Sequence, residues 1–199
     1  MRTAWMLGLG LGLFVAAAAG AQQMPPTALG LRLNLSAGVE VYTGELGNAY
    51  TVGPAGGVSL SMQPLPFLGA EVGYVAGLHQ VDSTLNDGGL VKGYDIVHHG
   101  LHLAATLGPW LHGVRPYALA GGGVSLTDVR GPKNPDFRDD VDFFVPVGAG
   151  LMVSAGRFAL DARLSYQFLF DQESVSAPDG NGGASGGRYQ AMVGLSFAL

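Results

Sequence analysis

The densest group of metal-ligating side chains in this sequence is HHGLH, residues 98–102. On a helix, His98 and His102 would share a face one turn apart, the spacing used by zinc peptidases. On a strand they also share a face, but at about 13 Å separation, too far for one ion. The element therefore decides the chemistry. His79, Asp82 and Ser83 supply the residue types of a nucleophilic triad, within a stretch that otherwise has ordinary loop composition. Gly121-Gly122-Gly123 has no Lys-Ser or Lys-Thr after it, so it is no phosphate loop; close backbone packing explains it better. DGNGG, residues 179–183, lacks the regularly spaced oxygen ligands of a calcium loop and reads as a loop tip. Cysteine is absent, which removes thiolate sites and disulfides. The expectation is a protein with no catalytic residue, no metal and no cofactor.

The elements that hold these residues read as strands. In residues 28–42, Leu29, Leu31, Leu33, Leu35, Ala37, Val39 and Val41 lie on one face, with Arg32, Asn34, Ser36 and Glu40 on the other. A helix would scatter those leucines around its circumference. The same period of two returns in residues 58–62, 68–78, 93–107, 141–154 and 158–170, and in the final YQAMVGLSFAL. Residues 116–126, PYALAGGGVSL, are the least decided, because alanine and glycine occupy both faces. With that segment the count is eight strands.

Connections alternate in length. QPLPF, GPWLHGVR and AGR are short, whereas TGELGNAY, QVDSTLNDGGLVK, DVRGPKNPDFRDD and QESVSAPDGNGGASGG are long and polar. Charge then separates the two strand faces. In the seven clear strands the apolar face carries no Asp, Glu, Lys or Arg, and His99, near a loop end, is its one group that titrates near neutral pH. Tyr74, Tyr166, Phe168, Phe170, Tyr189 and Phe197 fall near the strand ends of that face. An apolar outside with aromatic ends inverts a water-soluble barrel and suits a lipid-facing wall.

The first residues fit export. Thr3 to Ala21 carry no charge, follow Arg2, and close on Ala19-Gly20-Ala21, a small-x-small pattern. Residues 1–21 are read as a secretory signal peptide and 22–199 as one domain; an uncleaved anchor is the alternative. The ten Lys and Arg are scattered, so no basic stripe exists for nucleic acid.

Over residues 28–199 the chain resembles the small eight-stranded bacterial outer-membrane barrels formed by the OmpA transmembrane domain and OmpX. The most specific motif is the terminal strand, where Gly194, Phe197 and Leu199 match the positions of the family's C-terminal assembly signal; Met192 stands for its polar residue and Leu199 for its terminal Phe. The resemblance implies an all-β, up-and-down transmembrane barrel in a Gram-negative outer membrane, with termini periplasmic and four loops outside. It implies lipid and lipopolysaccharide as surroundings and the barrel-assembly machinery as partner. Related barrels include lipid A deacylases with a His-x-Ser pair; here Leu103 and Ala104 follow His102, so the pair is broken. The expected role is structural or surface contact, with a narrow channel as the alternative and a lipid-modifying enzyme as the third.

A barrel of eight strands has an interior filled by side chains. Arg32, Glu71, His102, Asp161 and Arg163 are expected near one height, as an ion-pair plug or as a gate whose pairs exchange. Glu40 and Arg188 are expected to meet where the first and last strands close the barrel.

Overall fold

A computed structural model of the chain describes residues 30–44, 47, 51–80, 83–84, 90–91, 95–130, 140–170 and 186–199. The leader read over residues 1–21, Asp82 and the DGNGG segment lie outside them. Among the described residues the strands are β1 (Arg32–Gly44), β2 (Gly53–Met62), β3 (Leu68–Gln80), β4 (Ser83–Thr84), β5 (Leu90–Val91), β6 (Asp95–Leu107), β7 (Val114–Arg130), β8 (Asp140–Ala155), β9 (Phe158–Phe170) and β10 (Gly186–Ala198). Eight of them close a barrel in the order β1-β10-β9-β8-β7-β6-β3-β2, each pairing antiparallel with its neighbours, while β4 and β5 form a separate two-residue ladder. Closure leaves no edge open among the eight described strands of the barrel, so the wall satisfies its own backbone polar groups.

The tight connections leave one end of the barrel. His112 and Gly113 both have positive φ, and Leu111 and Val114 exchange backbone hydrogen bonds at 2.7 and 3.0 Å, which makes the tip of the β6–β7 connection a two-residue turn of the type I′ kind. Gly156 (φ 63) with Arg157 turns β8 into β9. The long connections leave the opposite end.

Side chains alternate across this wall as the period of two requires. Leu35, Leu101, Leu103, Leu164 and Val193 are exposed on the outside, while Glu40, Glu71, His98, Asp142 and Arg188 are buried in the lumen. Strand β7, undecided from its residues, turns Arg115, Tyr117, Leu119, Ser125 and Thr127 inward and Val124 and Leu126 outward. Its glycines make room. A Cβ on Gly123 would come within 2.4 Å of the Phe144 ring, which lies 1 % exposed in the lumen. Pro146 of β8 brings no N–H, and the β7–β8 register is interrupted between Ala120↔Val147 and Gly123↔Phe144.

Strand β2 starts five residues before the alternation that marks it in the sequence. Gly53-Pro54-Ala55-Gly56-Gly57 has little pattern of its own, and takes its place by pairing with Glu40 through Ser36 of β1.

Candidate functional site

The lumen holds two polar layers. In the layer nearer the tight turns, Arg163 Nη1 and Nη2 donate to the two carboxylate oxygens of Glu71 at 2.7 and 2.8 Å. The two residues project from β9 and β3, so this fork spans the lumen. Arg163 Nε donates to Tyr117 Oη at 2.9 Å, and that hydroxyl donates to both oxygens of Asp161 at 2.8 and 2.9 Å. His102 Nε2 stands 3.2 Å from Glu71 Oε1, and Asp161 Oδ2 lies 3.5 Å from Arg163 Nη2. Thus Glu71, His102, Asp161 and Arg163 are brought together.

Arg32 is not part of this group. Its guanidinium lies 5.7 Å from the Trp110 ring centroid, and its Nη1 is buried without a hydrogen-bond partner among the described residues. The expectation of one height equates positions that lie the same number of residues from a turn, but barrel strands tilt, so equal counts on different strands are unequal heights.

In the layer nearer the long connections, Arg188 Nε donates to Gln167 Oε1 at 2.6 Å, Gln167 Nε2 donates to Gln190 Oε1 at 2.7 Å, and Gln190 Nε2 donates to Glu40 Oε2. Arg188 Nε is itself 3.8 Å from Glu40 Oε2, and its guanidinium faces the Phe144 ring at 5.5 Å. This chain of donors runs along the inside of the β1–β10 seam, where Glu40 pairs with Gln190 in the register. The other carboxylate oxygen, Glu40 Oε1, meets His79 Nε2 at 2.9 Å and His98 Nε2 at 2.7 Å. Glu40, His79 and His98 are each at most 1 % exposed. A cavity of ≈ 50 Å³ adjoins both layers, with Glu71, His102, Phe144, Arg163 and Gln190 in its lining. That is room for about three or four waters.

The triad drawn from His79, Asp82 and Ser83 does not hold. His79 points into the lumen, with Nδ1 on the Thr51 carbonyl at 3.0 Å and Nε2 on Glu40, so neither ring nitrogen is available to a serine in a connection. The HHGLH segment is a strand, as its wider pattern implied, and its histidines part company: His98 joins Glu40, His102 joins Glu71, and His99 faces outward against Tyr74. Residue spacing within one strand missed His79, Tyr117, Gln167 and Gln190. The available signal was parity, since each is a polar side chain of inward register.

The outside wall decides the setting. Tyr166 packs on Phe168 and Tyr189 with ring centroids 4.7 and 4.6 Å apart, and at the other end Phe158 packs on Phe197 at 5.3 Å beneath the Arg157 guanidinium. Ten residues separate Phe158 from Phe168 along β9. That is about 33 Å of strand, which a tilt of roughly 40° projects to about 25 Å, the height of an outer-membrane apolar band. The chain has the fold of a small outer-membrane barrel. No family model matches the sequence, and no curated protein matches it. Among solved structures, this outer-membrane barrel is similar to Neisserial surface protein A, with a TM-score of 0.63 at 15% identity over 85% of this chain and 97% of that one. It is also similar to Ail, the attachment invasion locus protein of Yersinia pestis, solved with the heparin analogue sucrose octasulfate: TM-score 0.57 at 12% identity over 87% of this chain and 100% of that one. Barrels of this build reside in the outer membranes of Gram-negative bacteria.

Gly194, Phe197 and Leu199 all lie on the β10 side of the seam. Gly194 faces Ser36, and a Cβ there would come within 2.8 Å of the Leu35 carbonyl; Leu199 donates its backbone N–H to Leu31 at 3.0 Å.

Proposed function

We propose that this outer-membrane barrel is a non-enzymatic surface protein, a plugged scaffold whose long connections contact cationic material outside the cell. The observation that carries the reading is the charge of those connections on a barrel whose lumen is filled. Residues 43–50, 80–95, 128–140 and 171–185 contain eleven Asp and Glu against four Lys and Arg. Summed charge of one sign attracts ligands of the other and raises their encounter rate. A sulfated sugar such as the one bound to Ail calls for the opposite sign. The expected result is that the purified protein in lipid nanodiscs binds polylysine-coated sensor surfaces in a salt-sensitive way and leaves heparin-coated ones bare. Preference for heparin would overturn the charge argument.

The narrow-channel reading has one observation in its favour: Arg163 has a second carboxylate, Asp161, within 3.5 Å, a partner for exchange. The fork to Glu71 opposes it, because separating a desolvated pair leaves both charges uncompensated. Planar bilayers containing the folded protein are therefore expected to show no discrete conductance steps, and regular steps would favour the channel.

Within the same proposal, Gly194, Phe197 and Leu199 serve the barrel-assembly machinery. Phe197→Ser is expected to lower the yield of folded protein in outer membranes while leaving refolding in detergent intact.

A further inference from the structure

Two features of the Glu40 cluster are unexplained by its role as part of the plug. The first is a conflict of lone pairs. The Thr51 carbonyl can only accept, so His79 Nδ1 carries its ring hydrogen, and in the neutral ring Nε2 then presents a lone pair to Glu40 Oε1 at 2.9 Å. His98 Nε2 approaches the same oxygen at 2.7 Å, yet neither ring nitrogen of His98 has a hydrogen-bond partner among the described residues. The His79 lone pair and the carboxylate oxygen thus meet with no hydrogen between them, beside a buried His98 whose two ring nitrogens have no partner among the described residues. Such an arrangement calls for added positive charge at its centre. The Arg188 guanidinium lies on the side of the other oxygen, with Nε 3.8 Å from Oε2.

The second feature is space. Gly53 faces Glu40 in the β1–β2 register and Gly77 faces His98 in the β3–β6 register. A Cβ on Gly77 would lie 2.3 Å from His98 Nε2 and 3.3 Å from Glu40 Oε1, and one on Gly53 would lie 2.7 Å from His79 Nδ1. Both neighbours of the cluster are therefore residues that leave the imidazoles room.

We propose that Glu40, His79 and His98 bind one divalent transition-metal ion of the zinc class inside the lumen. Two imidazoles and one carboxylate are a donor set that suits zinc, cobalt, nickel or copper rather than magnesium or calcium, which take oxygen. The three donor atoms already lie within 4.8 Å of one another. Zinc bonded at about 2.0–2.1 Å to each donor in tetrahedral geometry would set them about 3.3 Å apart, so the two short contacts open by about half an ångström. The hydrogen bond from His79 Nδ1 to a backbone carbonyl is the outer contact that fixes a ligating histidine's tautomer and orientation. Acidic connections at the same end of the barrel concentrate cations at its mouth. The site is independent of which partner the connections contact.

The competing occupant of the gap is a proton shared between Glu40 and an imidazole. Cobalt(II) distinguishes the two, because only a bound ion gives ligand-field absorption. Folded protein, stripped with chelator and checked for the faster gel mobility of an unboiled barrel, is titrated with CoCl2 and then with ZnCl2. The expected result is one cobalt per chain with a visible spectrum of low coordination number, displaced by one equivalent of zinc. His98→Ala should weaken binding at least 100-fold. His112→Ala, at the exposed β6–β7 turn, should bind as the native protein does. If His98→Ala does not fold, His79→Gln serves in its place with the same expectation. A native protein that gives no cobalt spectrum, or binding that survives in whichever of these variants folds, overturns the proposal.

Discussion

Replacing Glu71 with alanine is expected to cost about 3–5 kcal/mol of unfolding free energy, the typical penalty for removing one partner of a buried ion pair. Glu71 is 3 % exposed and receives both terminal nitrogens of Arg163. Without it the guanidinium keeps only Tyr117 and the more distant Asp161, in a lumen too small to hydrate it as bulk water would. Urea unfolding in lipid vesicles, followed by the change in gel mobility, gives the measurement. The double variant Glu71→Leu with Arg163→Met should recover most of the loss, because it removes both charges and fills similar volume. If Glu71→Ala costs under about 1 kcal/mol, the fork is a solvated contact and the plug reading fails with it.

A charge on the outer wall should matter nearly as much. Leu101 is the middle residue of β6 and 57 % exposed. Leu101→Arg is expected to cost about 2–4 kcal/mol when the protein is folded in a bilayer, the penalty for a basic residue at the midplane of an outer-membrane barrel. The arginine would face lipid far from either aromatic end, with little scope to reach water. In a water-soluble barrel the same change at an exposed position would be close to neutral. Unfolding titrations in vesicles separate the two cases, and a null effect would argue that this face is wetted.

The wall was legible in the residues because its rules are local. Alternation over a few positions assigned the faces of β1, β3, β6, β8, β9 and β10, and the absence of charge on one face identified the lipid side. β7 was not legible: with Ala118, Ala120 and Gly121 to Gly123 in sequence, neither face carries enough bulk to mark it, and its inward Tyr117 emerged only from pairing with β6 and β8. The lumen was half legible. Parity placed Glu40, Glu71, His98, Asp161, Arg163 and Arg188 inside, but partner choice depends on tilt and stagger, which no single strand encodes. Hence the residues alone group Arg32 with a network that it does not join. His79 shows the same limit from the other side. Next to Asp82 and Ser83 it reads as part of a loop, whereas β3 runs one residue beyond it and turns it towards Glu40, 39 positions earlier in the chain.

The spacing of the two aromatic clusters on β9 and β10 also specifies a host membrane. An apolar belt of about 25 Å is shorter than the roughly 30 Å hydrocarbon layer of an average bilayer, and outer membranes are thinner than average. Hydrophobic mismatch would thus penalise this protein in thicker bilayers, which must be compressed around it. Belt height can therefore act as a sorting label in its own right, legible to lipids of different chain length without any receptor, and refolding efficiency should decline as vesicle acyl chains lengthen.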